Sequence, residues 1–469
     1  MRNNLIKTLH QRSLNDWLVN YDCQDFLQLM EELYSKFDSD TPQKILLVES
    51  NPFHFLAGLI AAYSAGHQVF LGNPSWGELE WQKVFSLVQP NLIWGDMAFH
   101  VGKSLREQRV GFEEGGEQEV RRKVETKVFD FQLPNLIMIP TGGSSGSIRF
   151  AMHSWETLQS SAQGFAKYFQ LDKVNSFCIL PVYHVSGLMQ FIRSFISGGK
   201  LVIVPFREVK GKKWCYFEPE EFFISLVPTQ LQALLNKPNL TNWLSKFNTV
   251  LLGGAPSWSQ LINQAQLAQI PISPCYGMTE TASQIVTLKP EEFLQGNKSN
   301  GKVLPHAQVK IVDETGKEIE TNQVGRITIQ ATSLALGYYP QVFTNPEYFI
   351  TDDLGYFDYL GYLHLIGRHS DKIITGGENV FPVEIEAAIL ATGLVEDVAV
   401  IGIKDQYWGQ VISAIYVPCC YQLESQQIQN CLQGKIAKFK QPKLWFAVEQ
   451  LPRNAQGKIN RQQLRKIVQ

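Results

Sequence analysis

The sequence predicts an α/β protein in which a large N-terminal domain precedes a smaller C-terminal domain. Short runs of β-branched residues alternate with helical patterns through most of the chain, and this alternation is typical of sheets flanked by helices. Near residue 300 the composition changes, and strand-like alternation between turn residues predicts a small β unit. A compact stretch of about a hundred residues follows His369 and can form a core of its own. We therefore expect domains at residues 1–369 and 370–469.

Local patterns define the individual elements in chain order. Short apolar runs predict the strands Lys44–Val48, Gln68–Leu71, Leu136–Ile139, Phe177–Leu180, Lys200–Val204, Phe223–Val227, Thr249–Leu252, Val309–Val312, Arg326–Gln330, Val395–Ile403 and Val411–Val417. Apolar residues at helical spacing predict the helices Trp155–Phe169, Thr229–Leu235 and Val383–Ala391. The most apolar stretch, Phe53–Leu71, contains two histidines and a glutamine, which favours a buried helix followed by a strand over a membrane span.

The composition excludes several classes of protein. Hydrophobic residues make up 44% of the chain and charged residues 18%, so a buried core can form and overall disorder is excluded. The 42 basic and 44 acidic side chains leave no basic excess to hold a nucleic acid. Seven cysteines without a C-x-x-C pair argue against a disulfide framework and for a reducing compartment. We expect a cytoplasmic protein with small-molecule substrates, no nucleic-acid partner and no membrane span, either monomeric or homodimeric.

The strongest local signal is the segment from Leu136 to Arg149. A buried strand runs into a loop with three glycines and four hydroxyl residues, and a helix is expected soon after it. Glycines let backbone N–H groups close around an anion, and hydroxyl groups add donors to phosphate oxygens. The segment lacks the Gly-Lys-Ser/Thr of a Walker A loop. Taken alone, a phosphate loop and a flexible turn explain it equally well.

Three weaker signals carry candidate chemical groups. In Tyr-Gly-Met-Thr-Glu, Thr279 can contact phosphate and Glu280 can ligate a hard divalent cation. In Thr-Asp-Asp, Asp353 can accept hydrogen bonds from both hydroxyls of a ribose. In Pro-Arg-Asn-Ala-Gln-Gly-Lys, Lys458 can present a point charge to a phosphate or carboxylate. Each has a simpler explanation when taken singly, namely a helix cap, an acidic turn and a terminal surface lysine.

Together, and in this order, the motifs resemble those of the adenylate-forming superfamily of acyl- and aryl-CoA synthetases. The set comprises Thr-Gly-Gly-Ser-Ser-Gly, Tyr-Gly-Met-Thr-Glu, Thr-Asp-Asp, Gly-Arg-x-x-Asp, Gly-Gly-Glu-Asn-Val-x-Pro and Pro-Arg-Asn-x-x-Gly-Lys, between about residue 136 and residue 460. The resemblance implies an N-terminal domain of two α/β subdomains and a small β subdomain, followed by a mobile α+β lid. It also implies ATP, Mg²⁺ and coenzyme A as substrates and cofactor, without a prosthetic group.

The resemblance implies roles for particular residues. The residues expected around the ATP phosphates are Thr141, Gly142, Gly143, Ser144, Ser145 and Gly146. Those expected at adenine and ribose are Gly253, Gly254, Ala255, Tyr276, Gly277, Asp353 and Arg368. Thr279 and Glu280 would serve phosphate and Mg²⁺, and Lys458 would bridge the acyl carboxylate and the α-phosphate during adenylation. At one point the chain departs from the family, because Ile148 and Arg149 replace the usual proline and lysine, and arginine keeps the charge but not the geometry.

Further residues are implied for the second half-reaction. His184 matches the family position whose ring gates the channel between the acyl pocket and the thiol. Gly376 and Gly377 would line the pantetheine channel after the lid rotates about Ser370 and Asp371.

Within the superfamily, the short chain and the segment from Ile374 to Glu386 resemble the o-succinylbenzoate–CoA ligase branch, which serves menaquinone or phylloquinone biosynthesis. Arg193, on an otherwise apolar helix, would hold the second carboxylate of that acid, and the alternative is an arginine that snorkels at the helix edge. Ser186 and Thr229 are further candidates for the acyl pocket. The alternatives are a general aryl- or medium-chain acyl-CoA ligase, and a carrier-loading or ligand-binding protein that does not use CoA.

Overall fold

The computed structural model describes residues 2–37, 41–95, 135–142, 148–211, 217–344, 348–420, 422–453 and 459–468. Within these ranges the strands form four sheets. Two seven-stranded sheets and a four-stranded sheet belong to the first 368 residues, and a five-stranded sheet belongs to the remainder. None of the described helices is both long enough and apolar enough to cross a membrane.

The first sheet carries the predicted phosphate loop. Its strands are, in spatial order, Gln341–Val342, Gly337–Tyr338, Ile148–His153, Ile137–Gly142, Gln68–Leu71, Lys44–Leu47 and Leu92–Trp94. The strands from Ile137–Gly142 to Leu92–Trp94 run parallel, whereas Ile137–Gly142 and Ile148–His153 form an antiparallel hairpin. The helix expected soon after the loop is Trp155–Phe169, and a strand with the buried residues Phe150 to His153 precedes it.

The second sheet has a parallel centre and an antiparallel edge. Its strands are Lys302–Val303, Ser283–Thr287, Ile272–Met278, Thr249–Leu252, Phe222–Leu226, Asn175–Cys178 and Leu201–Ile203. Strand Thr249–Leu252 has the predicted bounds, and the other predicted strands of this sheet differ by one or two residues at their ends. Such differences are expected, because strand termini depend on hydrogen bonds to neighbouring strands rather than on local sequence.

Helices join the first two sheets into one body. The helices in this part of the chain are Arg2–Ser13, Cys23–Phe37, Pro52–Ser64, Glu78–Val88, Trp155–Phe169, Val185–Ser197, Phe206–Lys210, Pro228–Leu235, Pro238–Leu244, Ser259–Leu267 and Pro290–Leu294. A single apolar cluster contains Ile45 and Ile137 of the first sheet, Leu201 and Ile203 of the second, and side chains from the helices between them. This shared core fixes the position of one sheet relative to the other.

The last two sheets are antiparallel apart from one edge strand. Ala307–Val312, Gly325–Ala331, Phe349–Phe357 and Leu363–Arg368 form the third sheet. The fourth contains Glu378–Val380, Ile373–Thr375, Gly409–Pro418, Val395–Asp405 and Leu444–Ala447, and its helices are Pro382–Leu390, Ser425–Leu432 and Arg461–Ile467. The apolar clusters around this fourth sheet draw on residues from Ile373 to Val468. The expected α/β class, with a large N-terminal part and a small C-terminal part, is therefore confirmed.

Candidate active site

A hairpin and a short turn bring two of the predicted motifs together. Thr141 pairs with Arg149 near the loop end of the hairpin, and Gly142 is the last described residue before the loop. The predicted phosphate ligands Gly143, Ser144, Ser145 and Gly146 lie outside the described residues. Phe150 at the other side of the hairpin is fully buried, so the base of the loop is anchored in the core of the sheet.

The turn with Thr279 and Glu280 is held against this hairpin by His153. Residues Thr279–Thr281 form a 3₁₀ turn between two strands of the second sheet. His153 is fully buried, and burial lowers the pKa of its imidazole to about 4, so the ring is neutral at pH 7. Its Nε2–H donates to the backbone oxygen of Thr279 at 2.8 Å. One imidazole therefore fixes the second motif relative to the first.

Glu280 is a buried carboxylate whose hydrogen-bond partner is a tyrosine. The hydroxyl of Tyr338 donates to Glu280 Oε1 at 2.5 Å. The guanidinium carbon of Arg149 lies 4.0 Å from the centroid of the Tyr338 ring. Within the described residues, no lysine, arginine or histidine nitrogen lies within salt-bridge distance of Glu280. A buried carboxylate without a cationic partner fits a site for a divalent cation.

Sequence reasoning did not find Tyr338. It lies in a two-stranded edge of the first sheet, where Tyr338 pairs with Ala151 of the hairpin. It lies 58 positions after Glu280 in the chain, beyond two strands of the third sheet, so no local pattern connects the two residues. The only signal available was an aromatic pair, Tyr338 and Tyr339, after a glycine in a segment without other polar groups.

The residues predicted at the ribose also meet. Asp353 and Arg368 are cross-strand partners in the third sheet, with 3.4 Å between Arg368 Nε and Asp353 Oδ1. The hydroxyl of Tyr276 donates to the other oxygen of Asp353 at 2.8 Å. Burial, followed by the charge of Asp353, raises the pKa of Tyr276, which keeps this hydroxyl protonated. A carboxylate oriented by a guanidinium and a phenol is suited to accept hydroxyl donors from a sugar.

The glycines near the predicted adenine site have different surroundings. Gly253 and Gly254 follow the strand Thr249–Leu252, and Gly254 has a φ of +81°, a conformation that favours glycine. Ala255 is exposed beside them. At Gly277 an added Cβ would lie 2.1 Å from the backbone oxygen of Ser283, so the close approach of the neighbouring strand already requires glycine there.

Arg193 is a buried cation without an anionic partner in the part of the chain that the structure describes. It lies on the helix Val185–Ser197 with 3% of its surface exposed, so the snorkelling alternative is excluded. Its Nη2 donates to Ser283 Oγ at 3.2 Å and to Gln284 Oε1 at 3.3 Å, and its guanidinium lies 4.2 Å from the Phe165 ring centroid. Burial lowers the pKa of Arg193 to about 10, so the group stays charged at neutral pH.

The other candidates for the acyl pocket are more exposed. His184 caps the N-terminus of the Arg193 helix, and its ring lies 4.7 Å from that of Tyr183. Ser186 is exposed and lies two turns before Arg193, which places both residues on one face of the helix. Thr229 is exposed in the first turn of a different helix.

The predicted hinge residues, Ser370 and Asp371, each contact a different part of the chain. Both the backbone N–H and the hydroxyl of Ser370 donate to the carboxylate of Asp352. Asp371 Oδ2 lies 3.3 Å from Nε of Arg461, at the start of the last described helix. Ser370 therefore contacts a residue before the predicted pivot, and the adjacent Asp371 contacts a residue after it. Lys458 lies outside the described residues.

Gly376 and Gly377 form a turn between two strands of the fourth sheet. Their φ values are +58° and +86°, which favour glycine. The indole of Trp408 lies against Gly376, where an added Cβ would be 2.9 Å from the ring. Lys443 Nζ lies 3.3 Å from the centroid of the Trp408 ring. The turn is thus adjacent to a partly exposed aromatic surface with a positive charge.

Comparison with known proteins identifies the family. A model of the AMP-binding enzyme family matches residues 38–339, and one of the AMP-binding enzyme C-terminal domain matches residues 384–458. The chain belongs to the AMP-binding enzyme family. A 2-succinylbenzoate–CoA ligase from Oceanobacillus iheyensis is 35% identical over 335 residues, which cover 70% of this chain and 69% of the relative.

Solved structures show the same fold. The o-succinylbenzoate-CoA synthetase (MenE) from Bacillus subtilis in complex with the acyl-adenylate intermediate OSB-AMP has a TM-score of 0.80 and 24% identity, covering 97% of both chains. The same synthetase in complex with ATP and a magnesium ion has a TM-score of 0.79 and 24% identity, covering 98% of this chain and 99% of that one. These findings confirm the superfamily and the fold, whereas the roles of the individual site residues stay predictions.

Proposed function

We propose that the protein is a 2-succinylbenzoate–CoA ligase. The acid carboxylate attacks the α-phosphorus of ATP, which releases pyrophosphate and gives an acyl-adenylate. The thiol of coenzyme A then attacks the acyl carbon, which releases AMP and gives the thioester. The name and degree of identity of the relatives support this reaction, and the single structural observation that supports the acid is Arg193.

Arg193 provides what a dicarboxylic acid requires after one carboxylate has been activated. The second carboxylate of 2-succinylbenzoate keeps its charge, and burying it needs a cation. Arg193 is charged, buried and bonded only to neutral side-chain oxygens within the described residues. These partners, Ser283 and Gln284, closely follow the Thr279–Glu280 turn, so the cation lies against the chain segment that is also proposed to serve the nucleotide. A monocarboxylic acid would leave Arg193 without an anion.

Adenylation would use the groups gathered at the hairpin. Thr279 would contact phosphate, and Glu280 would hold Mg²⁺, which when bound offsets the charge of the phosphates. Asp353, with Arg368 and Tyr276, would bind the ribose and so fix the α-phosphorus relative to the acid. Lys458 would offset the repulsion between the attacking carboxylate and the α-phosphate.

Thioester formation would use the C-terminal part. We propose that residues 370–469 form a lid that rotates about Ser370 and Asp371, because the adenylating lysine must leave before a thiol can enter. Gly376 and Gly377 lack side chains that would obstruct a narrow pantetheine arm. Trp408 and Lys443 beside them offer an aromatic face and a positive charge, which suit the nucleotide end of coenzyme A.

Two wider assignments follow from this reaction. The product thioester would enter menaquinone or phylloquinone biosynthesis. Because ATP and coenzyme A are available in the cytoplasm and the cysteines of the described residues are free, we propose a cytoplasmic location.

A panel of acids tests the assignment. Pyrophosphate release should be fastest with 2-succinylbenzoate and slow with benzoate or a medium-chain fatty acid, and thioester should form only when coenzyme A is added. Preference for a monocarboxylic acid would refute the proposed substrate. Release of pyrophosphate without any thioester would instead favour an adenylating protein that does not use CoA.

Substitution of Arg193 tests the observation that supports the acid. Arg193→Ala should weaken binding of 2-succinylbenzoate by about 2–4 kcal/mol, because the buried carboxylate loses its partner. The KM for the acid should rise while ATP affinity, measured by calorimetry, stays constant. Arg207→Ala, at an exposed position, is the matched control. An unchanged KM for the acid in Arg193→Ala would remove Arg193 from the pocket.

A further inference from the structure

Three separate segments of the chain converge on Glu280. The carboxylate lies on the 3₁₀ turn Thr279–Thr281, Tyr338 comes from the edge strand Gly337–Tyr338, and Arg149 comes from the hairpin. Pairing of Tyr338 with Ala151 fixes the edge strand against the hairpin. The three side chains therefore form a row in the order guanidinium, phenol and carboxylate.

The hydroxyl of Tyr338 determines how Glu280 is presented. It donates to Oε1, and within the described residues the other carboxylate oxygen accepts no hydrogen bond. A phenol carries one O–H donor and a carboxylate has none, so Tyr338 is the donor in this hydrogen bond. A carboxylate held through one oxygen keeps its other oxygen for a cation.

Arg149 packs against the aromatic ring of Tyr338. Its guanidinium lies over the face of Tyr338, and its Nε is buried without a hydrogen-bond partner among the described residues. A cation over an aromatic ring is attracted to the ring electrons. The positive charge of Arg149 also strengthens the hydrogen bond that Tyr338 donates to Glu280.

We propose that Tyr338 is a positioning residue that orients Glu280 for the Mg²⁺ of bound ATP, and that Arg149 acts through Tyr338 rather than as a phosphate ligand. The inference rests on the proposed use of ATP but not on the identity of the acid. It also explains how the chain accommodates an arginine where the family usually has a lysine, since a planar guanidinium stacks on an aromatic ring better than an ammonium does.

Metal binding can be measured without turnover. Mn²⁺ replaces Mg²⁺ as a spectroscopic probe, and electron paramagnetic resonance counts free Mn²⁺ during titration of the enzyme with ATP present and no acid. Tyr338→Phe keeps the ring but removes the hydroxyl, and should weaken Mn²⁺ binding to the enzyme–ATP complex about tenfold. Tyr359→Phe removes a hydroxyl from a residue that is 83% exposed, and should leave binding unchanged. Wild-type Mn²⁺ affinity in Tyr338→Phe would overturn the proposal.

A double-mutant cycle tests the role of Arg149. If Arg149 acts through the phenol, Arg149→Ala should weaken Mn²⁺ binding in the wild type but have little effect in Tyr338→Phe. Affinity for ATP in the absence of metal, measured by calorimetry, should change less than twofold in Arg149→Ala. A large loss of metal-free ATP affinity, or additive effects in the cycle, would identify Arg149 as a phosphate ligand and refute that part of the proposal.

Supplied acyl-adenylate separates orientation of Glu280 from misfolding. Thioester formation from the adenylate and coenzyme A releases AMP and involves no pyrophosphate. Tyr338→Phe should therefore form the thioester at the wild-type rate. Loss of this half-reaction together with Mn²⁺ binding would indicate a damaged fold and overturn the positioning role. The metal titration contains no acid, so its result does not depend on whether 2-succinylbenzoate is the substrate. The two proposals can therefore fail independently.

Discussion

Two arginines, one fully and one largely buried, have opposite surroundings in the two parts of the chain. Arg193 bonds only to neutral oxygens among the described residues, and burial lowers its pKa to about 10. Arg461 lies between two carboxylates, with Nη2 3.0 Å from Glu386 and Nε 3.3 Å from Asp371. Burial alone would lower the pKa of Arg461, but the charges of Glu386 and Asp371 raise it above its ordinary value.

The difference separates a charge that stabilises the fold from a charge that is available to a ligand. Burying an ion costs several kcal/mol unless a partner compensates it. The charge of Arg461 is compensated by Glu386 and Asp371 of the same chain, so it needs no ligand. Among the described residues Arg193 has no such partner, so its charge is available to an anionic ligand. The same contrast holds between Glu386, which pairs with Arg461, and Glu280, whose side-chain partner among the described residues is a neutral phenol.

The largest expected effect concerns the lid. Lys458→Ala should lower the rate of adenylation by about a thousandfold or more, because the repulsion between the attacking carboxylate and the phosphate is no longer offset. Conversion of supplied acyl-adenylate to thioester should remain close to the wild-type rate. Separate assays of the two half-reactions measure this, with circular dichroism as the control for folding. Equal loss of both half-reactions would contradict an alternating lid.

The two arginines should differ in their effect on stability. Arg461→Ala leaves Glu386 buried without its cation and should lower the free energy of unfolding by about 3–5 kcal/mol in urea denaturation. Arg193→Ala leaves no charged group unpaired among the described residues, so the free energy of unfolding should fall much less. Arg453→Ala removes a half-exposed pair with Asp397 and provides a control, with an expected loss below about 1 kcal/mol. Similar losses in Arg193→Ala and Arg461→Ala would remove the distinction between the two sites.

A third buried basic side chain, His153, remains neutral and predicts a pH effect. Its pKa falls from 6.5 to about 4 through burial, so between these values the unfolded chain binds a proton that the folded protein does not. The free energy of unfolding should therefore be fully retained above pH 6.5 and decrease by up to about 3 kcal/mol as the pH falls towards 4. His153→Gln, which can still donate to Thr279, should show a shallower decrease. Parallel pH profiles for the two proteins would assign the titration to other groups.

Much of the fold could be predicted because local sequence specifies it. Helix Trp155–Phe169 has the predicted bounds, since Ser154 caps its start and its apolar residues recur at helical spacing. The strand after the phosphate loop was not predicted, because its alternation depends on pairing with Ile137–Gly142 rather than on its own residues. Glycine at position 277 was attributed to the nucleotide, whereas the approach of Ser283 is sufficient to require it.

The sequence by itself determined the family, the order of the motifs and the chemical groups available, because glycines, hydroxyls and carboxylates at fixed spacing restrict the chemistry directly. It also identified Arg193 as a candidate. Only the tertiary structure decided that Arg193 is buried without an anion among the described residues, that Tyr338 donates to Glu280, and that Arg461 of the last described helix pairs with Asp371. These relations join residues far apart in the chain, and their energies depend on burial and on the distance between charges, which a linear pattern does not contain.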